Sequence, residues 1–141
     1  MRIVWLALAG VLASSGASAQ SGERRLTADE LRKDWFGVVM SGVTRDGGQT
    51  WSECIEPDGD TLYVHQGRAI LRGRMWTEAG DVVCFAYEDS GFSGKNCFSA
   101  WVRDGRTQFR AQPQIPGDDV FEVHRVQRNV KSCPRPDALV S

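Results

Sequence analysis

The chain has 141 residues, a formal net charge of -1 and four cysteines. Its near-neutral charge argues against a nucleic-acid binder, which would carry a basic excess, and against a polybasic protein of membrane surfaces. Its length predicts one domain with a single hydrophobic core.

The N-terminus has the three parts of a secretory leader. Arg2 is a short basic region, residues 3–13 are apolar, and residues 17–19 (Ala-Ser-Ala) match the small-x-small pattern at which leaders are cleaved. The apolar stretch is shorter than the ~20 residues that span a bilayer. We therefore predict a signal peptide over residues 1–19 and a periplasmic or secreted protein, with no membrane span after cleavage.

The next segment predicts a short helix. Residues 20–25 are polar and predict a flexible N-terminus. Thr27 and Glu30 then have the spacing of a capping box, in which each residue binds the backbone N–H of the other. We expect the helix to end near Gly37 and to cover one end of the domain.

After Gly37 the sequence alternates between short β-prone runs and turns that contain glycine, often as Asp-Gly. The predicted strands are residues 38–44, 49–56, 61–65, 68–77, 82–88, 96–103, 106–112 and 120–127. No crossover helix separates them, which disfavours a parallel sheet. We predict an all-β domain over residues 26–127: a single antiparallel barrel or closed meander of about eight strands with one short N-terminal helix. Residues 128–141 are predicted to be an irregular tail pinned by Cys133.

All four cysteines follow the leader, and an even number in an exported chain favours disulfides. Four cysteines allow three pairings, and composition does not choose among them. If the hairpin after the fifth predicted strand is centred near residues 90–91, Cys84 and Cys97 face each other at a distance that a disulfide can bridge. Cys54 and Cys133 then pair by elimination. The cysteine spacing contains no CxxC motif, which disfavours a metal or redox site.

The fourth predicted strand offers a candidate binding face. It places Arg72, Arg74 and Trp76 on one side of the sheet and mostly apolar residues on the other. In the simpler interpretation the arginines are solvated and Trp76 is partly exposed. In the alternative they turn inward and meet Glu53, which shares a strand face with Trp51. Such an interior would hold an anionic small molecule, because buried charges require partners.

No set of residues predicts catalysis. His65 and His124 are expected to be unrelated surface histidines, and Ser93 lacks the G-x-S-x-G spacing of a nucleophile elbow. We therefore predict no enzymatic activity, no cofactor and no metal. The leading hypothesis is a barrel that binds a small molecule or an envelope component. The alternative is a module that binds a protein partner, for instance a periplasmic hydrolase, through Trp76 or Trp101. An enzyme is the third hypothesis and the least favoured.

Four segments between residues 26 and 105 carry further motifs: LTADELRKDWFG, WSECIEPDGD, RGRMWTEAGDVVCFAYEDS and CFSAWVRDG. They contain a Leu-Thr-x-x-Glu-Leu start, a Pro-Asp-Gly turn and a hairpin with paired Cys-Phe. In these features the chain resembles small exported bacterial proteins that are grouped as a domain of unknown function. The resemblance implies a small antiparallel β-barrel or curved sheet in the periplasm, and it implies no catalytic residue.

Overall fold

A computed structural model describes residues 22–45, 48–65, 69–88, 94–113 and 120–134. It confirms the predicted all-β class: eight antiparallel strands close a barrel, one strand lies outside it, and there is a single short helix. The elements are β1 (Arg24–Arg25), α1 (Ala28–Asp34), β2 (Val38–Thr44), β3 (Thr50–Ile55), β4 (Asp60–His65), β5 (Ala69–Glu78), β6 (Val82–Tyr87), β7 (Lys95–Arg103), β8 (Arg106–Gln112) and β9 (Val120–Arg128).

The barrel is an up-and-down meander. Each strand from β2 to β9 pairs antiparallel with its neighbour in sequence, and β9 pairs with β2 to close the ring. The closing pair contains a register shift between Ser41 and Gly42. A Cβ at Gly42 would lie 1.7 Å from the backbone oxygen of Glu122, so only glycine permits this close approach.

One end of the barrel is covered by α1. The capping box at Thr27 is present: the Thr27 hydroxyl accepts from the Glu30 N–H, and the Glu30 carboxylate accepts from the Thr27 N–H. Leu31 is fully buried, and the ring of Trp35 meets Phe109 edge to face at a centroid distance of 5.2 Å. The helix therefore adds its apolar side chains to the barrel core.

Polar contacts fix the helix to the turns at this end. The Ala28 N–H donates to the Asp81 carboxylate over 2.8 Å, and the Arg32 guanidinium donates to the Thr77 hydroxyl over 2.7 Å. Asp81 lies in the tight turn between β5 and β6. The first of these bonds satisfies an amide of the first helical turn that has no partner within the helix.

Both predicted disulfides are present. Cys84 and Cys97 are direct cross-strand partners of β6 and β7 and are bonded to each other. Cys54 is bonded to Cys133, which joins the C-terminal tail to the outer face of β3. The Cys133 N–H also donates to the Glu56 carboxylate over 2.8 Å. The described tail after Arg128, up to residue 134, is irregular and held by this disulfide, whereas Arg128, which we predicted to be part of the tail, is the last residue of β9.

The prediction of a flexible segment over residues 20–25 is wrong for its last two residues. Arg24 and Arg25 form β1, which pairs with Val102 and Trp101 of β7. The β6–β7 pairing ends at Phe98, so the remainder of that edge of β7 has unpaired backbone groups that β1 satisfies. The predicted signal peptide, residues 1–19, lies outside the described residues.

The fold is compatible with an oxidising, extracellular compartment because it contains two disulfides. In the part of the chain that the structure describes, no helix is both long and apolar enough to cross a membrane.

Candidate functional site

The barrel contains a cavity of about 450 Å³ at the end opposite to α1. Its wall includes residues at the ends of strands remote from the helix, among them His65, Asn96 and Phe121. Deeper in the barrel it reaches Met40, Glu53 and Phe109. Among the described residues, the barrel is therefore filled at the α1 end and hollow at the other.

Aromatic rings surround this cavity in what we call the aromatic belt. Each member contacts the next with ring centroids 5.6–6.1 Å apart, a range typical of favourable aromatic pairs. In spatial order the belt consists of Trp51, Phe121, Phe98, Phe85, Tyr87, Tyr63 and His65. Trp51 and His65 are cross-strand partners, which closes the belt.

The strand period places these rings inside. Phe85 and Tyr87 lie two apart on β6, as Tyr63 and His65 do on β4, and alternate residues of a strand share a face. Tyr87 has Gly73 of β5 as its cross-strand partner. A Cβ at Gly73 would lie 2.6 Å from the Tyr87 ring, so this glycine makes room for the tyrosine.

Glu53 lies in the cavity wall with only 3% of its surface exposed. One carboxyl oxygen, Oε2, accepts a hydrogen bond from the Tyr87 hydroxyl over 2.9 Å, and the other, Oε1, contacts the Thr61 hydroxyl. Burial raises the pKa of Glu53 to about 8, although the bonds to Thr61 and Tyr87 act in the opposite direction. Burial and the neighbouring Glu53 also raise the pKa of Tyr87 well above its ordinary value.

The hydrogen bonds of Thr61 are compatible with a neutral Glu53. The Thr61 hydroxyl lies 2.8 Å from the backbone oxygen of Cys54 as well as against Glu53 Oε1. A hydroxyl has one proton to donate. When that proton goes to the Cys54 carbonyl, the contact with Glu53 is a hydrogen bond only if the carboxyl is protonated and donates. A neutral carboxyl satisfies both contacts, and it avoids an unpaired buried charge.

Further polar groups belong to the cavity wall. The Tyr63 hydroxyl lies 2.9 Å from Nδ1 of His65. The indole N–H of Trp51 is buried and has no hydrogen-bond acceptor among the described residues. At the rim, the Lys95 ammonium is paired with the Glu78 carboxylate on the outer surface at 2.9 Å. The wall is thus largely aromatic, with a few polar groups.

The structure separates the five predicted binding residues into two sets. Trp51 and Glu53 lie in the cavity wall. Arg72 and Arg74 are exposed on the outer face, where Arg74 is paired with Asp60. Trp76 is half-buried and bonds to Glu78 of its own strand.

The hypothesis of an inward arginine face is therefore wrong, and the simpler interpretation of β5 is correct. The inward residues of β5 are Leu71, Gly73 and Met75, whose cross-strand partners Tyr63, Thr61 and Phe85 also face inward. A protonated Glu53 needs no buried countercharge, so nothing inside the barrel requires an arginine.

Sequence reasoning missed most of the aromatic belt. It placed His65 on the surface, whereas this residue is half-buried in the cavity wall; His124 is exposed on β9, as expected. The available signal was aromatic residues at every second position of two predicted strands, Tyr63 with His65 and Phe85 with Tyr87. That pattern identifies an inward face but does not reveal whether the interior is filled.

The turn between β3 and β4 brings together the carboxylates of Glu56, Asp58 and Asp60. Each of them already accepts a hydrogen bond from the protein, from Cys133, from the Asp60 N–H and from Arg74, respectively. These bonds explain the cluster as part of the turn, and we assign no ligand to it.

Comparison of the chain with protein-family models, curated proteins and solved structures found no match. The resemblance to small exported proteins of unknown function therefore stays a prediction.

Proposed function

We propose that this protein is an exported, non-enzymatic barrel that binds a small and largely apolar molecule in its cavity. The observation that carries the proposal is the belt of seven rings around about 450 Å³ of space. Ligand pockets have volumes of roughly 300–1,000 Å³, and apolar and aromatic side chains with a few polar groups line them. An eight-stranded barrel is wide enough for one small ligand when its side chains do not fill it.

The contrast within the barrel supports this role. Protein interiors are normally packed as densely as organic crystals, and an unfilled space lowers stability. Here the helix end is filled by residues such as Leu31, Ile55 and Val83, which are fully buried. Among the described residues the unfilled space lies at the other end, which favours a ligand over poor packing.

The alternative, a module for a protein partner, has less support. Its proposed anchors, Trp76 and Trp101, are both half-buried and already bonded to their own strands. Trp101 also lies against the guanidinium groups of Arg25 and Arg110, at 5.9 and 4.9 Å from its ring centroid. Neither indole is free to enter a partner's pocket without losing these contacts.

Export is the second part of the proposal. The leader pattern over residues 1–19 and the two disulfides support it. Expression of the full chain in a bacterium with a periplasm should yield a protein that begins at Gln20. Intact-mass analysis should show two disulfides. A reduced cytoplasmic product that retains residues 1–19 would contradict export.

Binding is tested with N-phenyl-1-naphthylamine, an uncharged dye that fluoresces in apolar surroundings. We expect saturable binding to the exported protein. Ala111→Trp should weaken it by roughly tenfold or more, since the indole would occupy the space that Ala111 borders. Thr50→Trp, at an exposed position of β3, is the matched control and should bind normally. Lack of saturable binding, or equal binding by both variants, would contradict the proposed function.

A further inference from the structure

The cavity combines aromatic rings with an acid that has no basic partner among the described residues. Among the described residues, no Lys, Arg or His forms an ion pair with Glu53, whose hydrogen bonds come from two hydroxyl groups. The faces of aromatic rings carry negative electrostatic potential, and they attract cations most strongly where water is excluded. Both features of the wall favour positive charge in the ligand.

We propose that the ligand is a small organic cation: a protonated amine on an apolar or aromatic body, with its ammonium group near Glu53 and its body against the aromatic belt. This inference rests on the proposed ligand-binding function and specifies the chemical class of the ligand. It also reverses the ligand charge of the alternative interpretation of β5, in which inward arginines would have selected an anion.

The proton of Glu53 is part of the recognition. Without ligand, burial keeps this carboxyl protonated at neutral pH. When the ammonium enters, Glu53 releases its proton to solvent and becomes the carboxylate of an ion pair. An ionised carboxylate has about four acceptor positions. The hydroxyl groups of Thr61 and Tyr87 account for two of them, so the ligand can occupy those that remain.

No Lys or Arg among the described residues faces Glu53 from the neighbouring strands. On β4, Tyr63 is the cross-strand partner of Glu53, and His65 lies two residues further along. On β6, Tyr87 donates a hydrogen bond to Glu53, and the pKa of this tyrosine is raised. Met40 is its partner on β2 and cannot titrate. Lys95 at the rim is paired with Glu78. In this part of the cavity wall, Glu53 is therefore the carboxyl group available to a cationic ligand.

Three matched probes test the charge preference: tryptamine, tryptophol and indole-3-propionate, which carry a cation, a neutral hydroxyl and an anion on the same ring. Isothermal titration calorimetry at pH 8 should show tryptamine binding roughly tenfold or more tightly than tryptophol, with indole-3-propionate weakest. At pH 6.5, titrations in buffers of different ionisation enthalpy should show the release of about one proton per bound tryptamine. Equal or tighter binding of tryptophol or indole-3-propionate would overturn the proposal.

Glu53→Gln keeps the size of the side chain and removes its charge. In this variant tryptamine should bind within roughly threefold of tryptophol, and proton release should disappear. Glu88→Gln, at an exposed position after β6, is the control and should behave like the wild type. A tryptamine preference that survives Glu53→Gln would overturn the assignment of the ammonium to Glu53.

If Glu53→Gln does not fold, the wild-type protein still decides the question. A primary amine stays protonated throughout the range from pH 6 to 7.5. Tryptamine affinity should therefore rise by nearly tenfold per pH unit as Glu53 becomes easier to ionise, while tryptophol affinity should not rise. Equal pH dependence for the two probes would overturn the inference.

The failure of this inference and the failure of the proposed function give different results. If the uncharged dye binds and Ala111→Trp blocks it, but tryptamine shows no preference, the cation assignment is wrong and the binding function stands. If neither the dye nor any of the three probes binds, both proposals are overturned.

Discussion

The two ends of this barrel use the same strands for different purposes. At the helix end, Leu31, Ile55, Met75 and Val83 are at most 1% exposed and pack into a continuous core. At the other end, seven rings line the wall around a cavity. A ring also belongs to the filled end, where Trp35 packs edge to face on Phe109, so the two ends differ in whether the interior is filled.

Under the proposed function, stability and ligand binding belong to separate regions of this small domain. The helix, its capping box and its bonds to the strand turns all belong to the filled end. The buried acid and the aromatic belt belong to the hollow end. A rigid, well-packed base allows the cavity to remain preorganised, which lowers the cost of ordering the site when a ligand binds.

The largest expected effect concerns the disulfide that joins the tail to β3. Replacing Cys54 and Cys133 together by serine should lower the free energy of unfolding by about 4–5 kcal/mol, since the bond closes a loop of 79 residues in sequence separation. Replacing Cys84 and Cys97, which are 13 apart, should cost about 3 kcal/mol. Urea denaturation measures both. A greater loss from the shorter loop would contradict the chain-entropy account.

The second prediction concerns the pH dependence of stability that Glu53, at the hollow end, contributes. The unfolded chain ionises this carboxyl near its ordinary value of 4.5, whereas the native state keeps the proton to about pH 8. The native state therefore loses stability as pH rises between these values and stays level above them. The Glu53 contribution to this fall should be about 1.4 kcal/mol per pH unit.

Urea denaturation between pH 5 and 8 checks this slope against the same series for Glu53→Gln. The variant should lack the Glu53 contribution and become more stable than the wild type at pH 8. Glu88→Gln, an exposed control, should follow the wild-type curve. Parallel curves for the wild type and Glu53→Gln would show that the buried carboxyl is not protonated in the native state.

The third prediction compares the two ends by truncating one side chain in each. Leu31→Ala should lower the free energy of unfolding by about 3 kcal/mol, because it leaves a cavity in a filled core. Phe121→Leu in the cavity wall should cost less than about 1.5 kcal/mol, since the new space joins space that already exists. Thermal or urea denaturation measures both variants. Similar losses would mean that the rings support the fold as much as the helix does.

The smallest expected effect is at the helix N-terminus. Thr27→Ala should cost about 1 kcal/mol, since its hydroxyl accepts a hydrogen bond from the first turn of α1. Thr27→Asp is the matched control and should retain most of the stability, because aspartate is also a good N-cap. Dye binding should be unchanged in both variants. Equal destabilisation by both substitutions would show that the cap is not the source of the loss.

Local signals were enough for the strands and the disulfides. Asp-Gly turns and the two-residue alternation of side chains predicted all eight barrel strands to within one residue at each end. For β2 and β8 the predicted bounds are the observed ones. The same reasoning placed Cys84 opposite Cys97, because a hairpin's register follows from its centre. Strand β1, which lies outside the barrel, was not predicted, because two residues are too few to show the alternation of a strand. The direction of Arg72 and Arg74 stayed open because both faces of β5 contain apolar residues.

The sequence by itself determined the strands, their meander order, the capped helix and the cysteine pairs, because each depends on residues near in the chain or on a simple count. Only the tertiary structure decided that one barrel end is hollow, since the belt takes its rings from β3, β4, β6, β7 and β9. It likewise decided the protonation of Glu53, which depends on burial and on Tyr87, 34 residues away in sequence. Packing between distant segments sets the local dielectric and the free volume, and neither quantity is encoded in any one strand.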